Sequence, residues 1–446
     1  MENLIGRYAA ESATARAVSD AVYAKVTRRL LPFLFICYVL NFIDRVNISF
    51  AHLQFKQDLG FSDASYGLGV GLFFIGYVLL EVPSNLLLQR IGARRTIARI
   101  MVLWGIVSAS MMFVRTPIEF YAARILLGAA EAGFFPGIVL YLTYWFPAAR
   151  RARITSILLS AVAVSGIVGG PMSGWIMGHM TNTFGLRGWQ WLFLLEGIPA
   201  VIAGVVALFY LTDRPSHARW LTHTERALIE TNLQADEREK GDAAPHSFRR
   251  ALADPRVYIA ALGYMVVPWA GSVLNFWAPS IIHKSGVTNV WHVGLLSTIP
   301  FLVGGLAMIF IANSSDRWLE RRWHFTACAF LAALGIAFLP AVADNWVASI
   351  ALLTLSTIGY LSAVSLFWTI PPAYLSGPAA AGGIALISCI GQGGGLIAPV
   401  VIGKVNELTG NIALGLYVVV GVLVTGGLAI VLGIPARALR EQREFA

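Results

Sequence analysis

The chain has 446 residues, 57% of them hydrophobic and 13% charged, about half the charged share of a soluble domain, which excludes a soluble enzyme and points to lipid. Its net charge of +9 is carried in short basic clusters between apolar runs, so it reads as loops that orient a membrane bundle and not as a nucleic-acid surface.

The first 28 residues are mixed and charged, without the short apolar core and small-residue cleavage site of a secretory signal. A bilayer core about 30 Å thick needs about 20 mostly apolar residues per helix. Such runs are predicted at 29–51, 66–89, 95–114, 118–145, 154–178 and 189–211. A charged, partly helical connector follows, containing TERALIETNLQADEREKGDAAPHS. Further spans are predicted at 256–281, 292–314, 324–343, 346–369, 379–402 and 411–435. The expected architecture is an all-α membrane protein of twelve transmembrane helices in two six-helix bundles: residues 1–212 with an N-terminal tail, a connector at 213–255, and residues 256–446 with a C-terminal tail.

Basic residues gather in the N-terminal tail, at Arg90/Arg94/Arg95, at Arg150/Arg151/Arg153, in the connector, at Arg317/Arg321/Arg322 and at Arg437/Arg440/Arg443. The positive-inside rule then puts both termini and the connector in the cytoplasm, and a bacterial inner membrane is the expected location. QRIGARR after the second span and SDRWLERR after the eighth hold equivalent places, an internal repeat. Duplicated halves favour a transporter whose site lies near the bilayer midplane between them.

An ionisable side chain at a helix centre costs about 2.5–3.5 kcal/mol on insertion scales, so each needs a partner, a wet cavity or a function. The first span carries Asp44 and Arg45, and the fourth carries Arg124 and Glu131. Arg124 and Glu131 are two helical turns apart and share a face that must look inward, and Pro136 loosens the backbone nearby. One reading is that these four residues cross-pair to hold two helices together. The functional reading gives the acids proton carriage, because burial and a nearby arginine pull a carboxyl in opposite directions. Arginine suits a carboxylate substrate through its planar, permanently charged fork, and Arg45 is the first choice for that contact.

Tyr77 can offer a hydroxyl to a cavity or act as an interfacial anchor. Glu81, near Pro83, and Glu196 are expected to partner freed backbone groups or loop arginines. In the second half, Asn275, Trp277, Trp368, Ser388 and Gln392 supply neutral hydrogen-bonding and stacking groups, with helix packing as the plainer reading of each. Cys37, Cys328 and Cys389 fall in apolar stretches at wide spacing and read as packing residues. No histidines stand at metal-ligand spacing, and no phosphate-binding G-x-x-x-x-G-K-[ST] loop occurs. No cofactor is expected, and an ion gradient remains as the energy source.

NFIDRVNISFA, GYVLLEVPSNLLLQRIGARR, RILLGAAEAGFFPG, GWQWLFLLEGIPA and GGIALISCIGQGGGLIAPVVIG together resemble the anion:cation symporters of the major facilitator superfamily. That family includes bacterial tartrate, sugar-acid and phthalate transporters and vesicular glutamate transporters. The resemblance implies proton-coupled uptake of a small organic anion by a monomer. It matches Asp44 and Glu131 to proton-carrying acids, Arg45 and Arg124 to substrate and coupling arginines, and Tyr77 to a cavity position. It also implies gating residues at Arg90, Arg94, Asp316 and Arg317. Asn85 and Gln89 depart from the superfamily's G-x-x-x-D-R-x-G-R-R loop, which weakens that latch. Ser388 and Gln392 stand where many relatives have asparagine.

Two other transport readings stay open. Trp269, Phe276, Trp277 and Trp368 would suit an aromatic carboxylate, and GIVGGPMSG resembles the Gly-Pro motif of proton-driven exporters, although small residues at this spacing also serve close helix packing. A membrane enzyme would need a catalytic constellation, and none is visible.

Overall fold

The computed structural model describes residues 2–239, 253–318, 320–371 and 380–434. The C-terminal basic cluster and part of the connector lie outside the described residues. Among the described residues twelve helices are long and apolar enough to cross a membrane. In the first bundle they are α1 Arg16–Asp58, α2 Asp63–Ile91, α3 Ala93–Phe113, α4 Pro117–Thr143, α5 Ala148–His179 and α6 Gly188–Tyr210. The second bundle comprises α7 Pro255–Lys284, α8 Val290–Trp318, α9 Arg321–Val342, α10 Trp346–Phe367, α11 Ala380–Thr409 and α12 Ile412–Gly433. Among the described residues no strand is present, and a separate connector helix covers His223–Glu239.

Apolarity located the helices and understated their length. α1 runs past its predicted end at 51 because polar residues up to Asp58 continue the helix. α11 runs past 402 for the same reason, through Lys404, Asn406 and Glu407. Backbone hydrogen bonds extend a helix beyond the lipid-facing stretch that hydropathy detects.

Three irregularities lie beside the candidate site. α1 is interrupted at Asn47, between helical segments ending at Val46 and starting at Ile48. α4 breaks after Glu131, where Gly133 takes the left-handed region at φ 83°. Pro136, which lacks an N–H for the carbonyl four residues earlier, accounts for a break at this place. α7 contains a π-helical turn at Val273–Trp277, a feature often found at functional sites. The start of α4 is fixed by a capping box, with Glu119 N donating to Thr116 Oγ1 and Thr116 N donating to Glu119 Oε2, both at 3.3 Å. The register so set puts Phe120, Arg124, Leu127 and Glu131 on the buried face.

The bundles meet along α2 with α11 and α5 with α8. Gly67 of α2 faces Pro399 and Gly403 of α11, and Gly170 and Gly174 of α5 face Gly294 of α8. A Cβ on Gly294 would stand 2.9 Å from the Cα of Gly174, so this contact exists only between small residues. Gly166, Gly170 and Gly174 of GIVGGPMSG are thereby occupied in close packing between the halves, while Gly169 faces Ile43 of α1. Cys37 and Cys328 are buried as expected, while Cys389 is exposed.

Candidate functional site

A chamber of about 1080 Å³ lies between the bundles. Both halves line it. α1 contributes Tyr38, Asn41 and Arg45, α2 contributes Tyr77 and Glu81, and α7 contributes Tyr264, Ser272 and Asn275. Tyr360 of α10, Trp368 just beyond that helix, and Ser388 and Gln392 of α11 complete the polar wall.

Arg45 is the hinge of this arrangement. Its Nη2 donates to Glu131 Oε2 at 2.7 Å, and Asn41 Nδ2 donates to the same oxygen at 2.8 Å. The guanidinium also stands over three rings, 5.3 Å from Phe42, 5.1 Å from Phe73 and 5.3 Å from Tyr77, a favourable setting for a cation on aromatic faces. Phe73 separates it from the second arginine, since Arg124 lies 5.0 Å from the same ring. Arg124 is fully buried, its Nε donates to Gly69 O at 3.4 Å, and its Nη1 and Nη2 have no partner among the described residues.

Glu131 and Asp44 are fully buried behind the chamber wall. Glu131 Oε1 and Asp44 Oδ2 lack partners among the described residues, whereas Asp44 Oδ1 accepts from Ser108 Oγ and, at 3.2 Å, from Asn47 Nδ2. Among the described residues Asp44 has no arginine within salt-bridge distance. The four charges therefore divide into one ion pair, one solitary acid and one solitary guanidinium, which is less than the mutual cross-pairing considered above.

Of the neutral groups expected at the substrate site, Tyr77, Asn275, Trp368, Ser388 and Gln392 line the chamber together with Arg45. Arg124 and Trp277 do not. Trp277 is turned toward the far end of the bundles, edge-on to Tyr66 at 5.3 Å and to His52 at 5.6 Å. Residues two apart on a helix do not face the same way, so Asn275 in the chamber directs Trp277 elsewhere. Glu81, expected to partner freed backbone groups or loop arginines, lines the chamber. Glu196 meets no loop arginine and instead accepts from Ser173 Oγ at 2.8 Å.

A second polar cluster closes the end opposite the chain termini. His52 stacks on Tyr66 at 3.7 Å, with Nε2 3.1 Å from Asp63 Oδ1 and Nδ1 3.1 Å from Ser280 Oγ. Tyr66 OH donates to Phe276 O at 2.7 Å, and Asn406 Nδ2 donates to Asp63 Oδ2 at 2.6 Å. His52, Tyr66 and Asp63 belong to the first bundle, while Ser280, Phe276 and Asn406 belong to the second. These contacts clasp the halves at that end.

The expected gating residues are not gathered. Arg90 and Arg317 are exposed, and Asp316 stands 3.9 Å from Arg321 within its own bundle. The loop after α2 is held by Asp213, whose Oδ1 accepts from Arg94 N at 2.8 Å and abuts Gly92. Asp213 thus supplies a carboxylate to a loop whose sequence has Gln89 in place of the usual aspartate. Outside the membrane, Lys25 donates to Glu225 at the start of the connector helix. That bond and the Thr222 N–H hold the Glu225 carboxyl below its ordinary range.

Comparison with known proteins agrees with this architecture. The Major Facilitator Superfamily family model matches residues 34–399. A protein of Agrobacterium vitis named "Putative tartrate transporter" is 47% identical over 91% of this chain and 93% of its own. The Escherichia coli inner membrane transport protein RhmT is 36% identical over 93% and 95%, and a quinolone resistance transporter of Acinetobacter baumannii is 39% identical over 89% and 91%. Among solved structures, the E. coli xylose transporter XylE in a partially occluded inward open conformation aligns with a TM-score of 0.68 at 14% identity, over 94% of this chain and 97% of that one. With the superfamily match spanning both bundles and full-length relatives that are transporters, the chain belongs to the Major Facilitator Superfamily and is a multi-pass membrane transporter, not an enzyme.

Proposed function

We propose that this transporter carries out proton-coupled uptake of a small hydroxylated organic anion, such as a hydroxy-dicarboxylate or a sugar acid, by alternating access. The observation that carries the proposal is Arg45, which reaches the chamber while paired at 2.7 Å with a fully buried glutamate. A proton arriving on Glu131 removes its negative charge and frees the guanidinium for a substrate carboxylate, which it can hold by two parallel hydrogen bonds. When the substrate leaves and Glu131 loses its proton, the internal pair re-forms. Asp44 is assigned as a second proton carrier and Arg124 as a coupling arginine behind Phe73.

The wall supports hydroxyl-bearing substrates. Tyr38, Tyr77, Tyr264 and Tyr360 face the chamber with Asn41, Asn275, Ser388 and Gln392, a density of donors and acceptors that suits polyhydroxy acids. The name of the A. vitis relative points the same way. In an inner membrane with both termini cytoplasmic, the clasped end faces outward and the chamber is the inward-facing state. The transporter acts as a monomer with protons as the coupling ion. An aromatic carboxylate is the second reading, favoured by the rings of Tyr264 and Trp368 in the wall. Proton-driven export is the third, favoured by the name of the A. baumannii relative.

A thermal-shift screen of purified protein against mono- and dicarboxylates, followed by proteoliposome uptake under an imposed pH gradient, tests the proposal. Stabilisation by hydroxy acids with acid-driven accumulation supports it. Stabilisation by aromatic acids alone selects the second reading, and energy-dependent drug resistance without acid accumulation selects the third.

A further inference from the structure

Glu196 lies on α6, 2% exposed, away from the chamber wall. Its Oε1 accepts from Ser173 Oγ of α5 at 2.8 Å, and its Oε2 has no partner among the described residues. The Ser173 hydroxyl, the Asn47 amide and the Asp44 carboxyl act on it, and no cation among the described residues does. α3 packs Gly105 and Ala109 against the adjoining Gly197, so the facing element there brings no ionisable group to this contact. Asp44 is equally buried, and it too has an open oxygen, as does Asn47 at Oδ1.

A carboxylate held in such a place without a cation costs several kcal/mol. The protonated acid does not carry that cost. Asn47, which donates to Asp44 Oδ1 and acts on Glu196, marks the interruption of α1. A shift of α1 there would alter the surroundings of Asp44 and Glu196 together.

We propose that Glu196 is a third proton-carrying residue of the transport cycle, loaded beside Asp44 in this state and emptied when α1 moves. The inference rests on the proton-symport reading above. In the step itself the carboxyl O–H bond breaks, the proton passes to water, and a carboxylate remains until a proton is taken from the opposite side.

Two measurements test it. Infrared spectroscopy of the purified, substrate-free transporter, titrated with acid and base, is expected to show a buried protonated-carboxyl band that titrates and is lost in Glu196→Gln. In proteoliposomes with tartrate as probe, Glu196→Gln is expected to keep tartrate exchange while carrying fewer protons per tartrate than wild type, and Glu196→Asp is expected to restore the ratio. A purely structural glutamate would leave the proton ratio and the pH profile unmoved in Glu196→Gln, and that result overturns the proposal. So does a Glu196 band that never titrates, or one that responds to sodium at fixed pH, which would make an alkali cation the occupant. If tartrate moves without protons even in wild type, the symport reading fails, and the infrared titration still decides whether Glu196 exchanges a proton.

Discussion

Arg45 and Glu131 hold each other at 2.7 Å across α1 and α4, yet their surroundings differ: the arginine side chain is 17% exposed and the glutamate side chain is 0% exposed. A substrate can therefore touch the cation and not the anion. In the proposed cycle Glu131 and a bound carboxylate compete for one guanidinium, and this competition would link proton occupancy to substrate occupancy without any direct contact between the two. Burial raises the stakes, because removing one partner of a buried ion pair leaves the other uncompensated.

Glu131→Gln is expected to abolish uphill accumulation while leaving exchange of substrate across the membrane intact. The amide resembles the protonated acid and keeps Arg45 available, but it has no proton to release. Under a pH difference of one unit, wild type coupled to one proton gains about 1.4 kcal/mol, a tenfold accumulation, whereas the variant should only equilibrate. Proteoliposome uptake with and without the gradient measures this, and gradient-driven accumulation by the variant would remove Glu131 from coupling.

Arg45→Ala is expected to lose substrate binding by about 2–5 kcal/mol, the usual penalty for truncating one member of a buried charged pair. Arg45→Lys should recover little of that, since an ammonium cannot present the planar fork that a carboxylate engages. Because Glu131 would be left unpaired, the double variant Arg45→Ala/Glu131→Gln is the control for folding. Isothermal titration of the three variants separates the effects: a Kd for Arg45→Ala within twofold of wild type would refute the assignment.

Much of this site was legible before any coordinates. The charges of NFIDRVNIS and RILLGAAE stand out against lipid, and the seven-residue spacing of Arg124 and Glu131 correctly put both on the inner face of α4. Partner identity was not legible. Asn41, one turn before Arg45 and sharing its contact with Glu131, could have been found from i, i+4 spacing. Tyr38, Tyr264 and Tyr360 could not, because a tyrosine on an apolar helix does not say which neighbour it faces. Trp277, read from sequence as a substrate-site group, stands outside the chamber beside His52 and Tyr66, because composition groups residues that the π-helical turn of α7 sends in different directions. His52 was missed because its partners Asp63, Ser280 and Asn406 lie far away in sequence, and only the packing of α2 on α11 and of the α1 end on α7 brings them together.

His52→Ala is expected to weaken closure of the end opposite the termini. Asp63 would keep Asn406 and distant Lys56, but lose its ring partner, and Ser280 Oγ would lose its bond across the bundles. An unsatisfied buried polar group costs about 1–3 kcal/mol, enough to move the balance between the two conformations by about fivefold or more. A cysteine placed at Ser280 should become more reactive to a water-soluble thiol reagent in the His52→Ala background than alone. Equal labelling rates would show that the cluster does not hold this end shut.

The connector offers a pH test outside the membrane. Lys25 Nζ lies 2.8 Å from Glu225 Oε2, and the same oxygen accepts from Thr222 N at 2.8 Å, so the anchor both caps the connector helix and ties it to α1. Since these bonds hold the Glu225 carboxyl below its ordinary range, chiefly through Lys25, its contribution is full at neutral pH, above the ordinary carboxylate value. It is lost as pH falls through the lowered value of the folded state. The pair is partly exposed, so it contributes no more than about 0–1 kcal/mol, and salt should weaken it further. Hydrogen exchange of His223–Glu239 is therefore expected to quicken modestly on acidification and in Glu225→Gln at neutral pH. The acid-induced change should be absent from that variant. Acid-induced loosening of equal size in Glu225→Gln would place the sensitive group elsewhere in the connector.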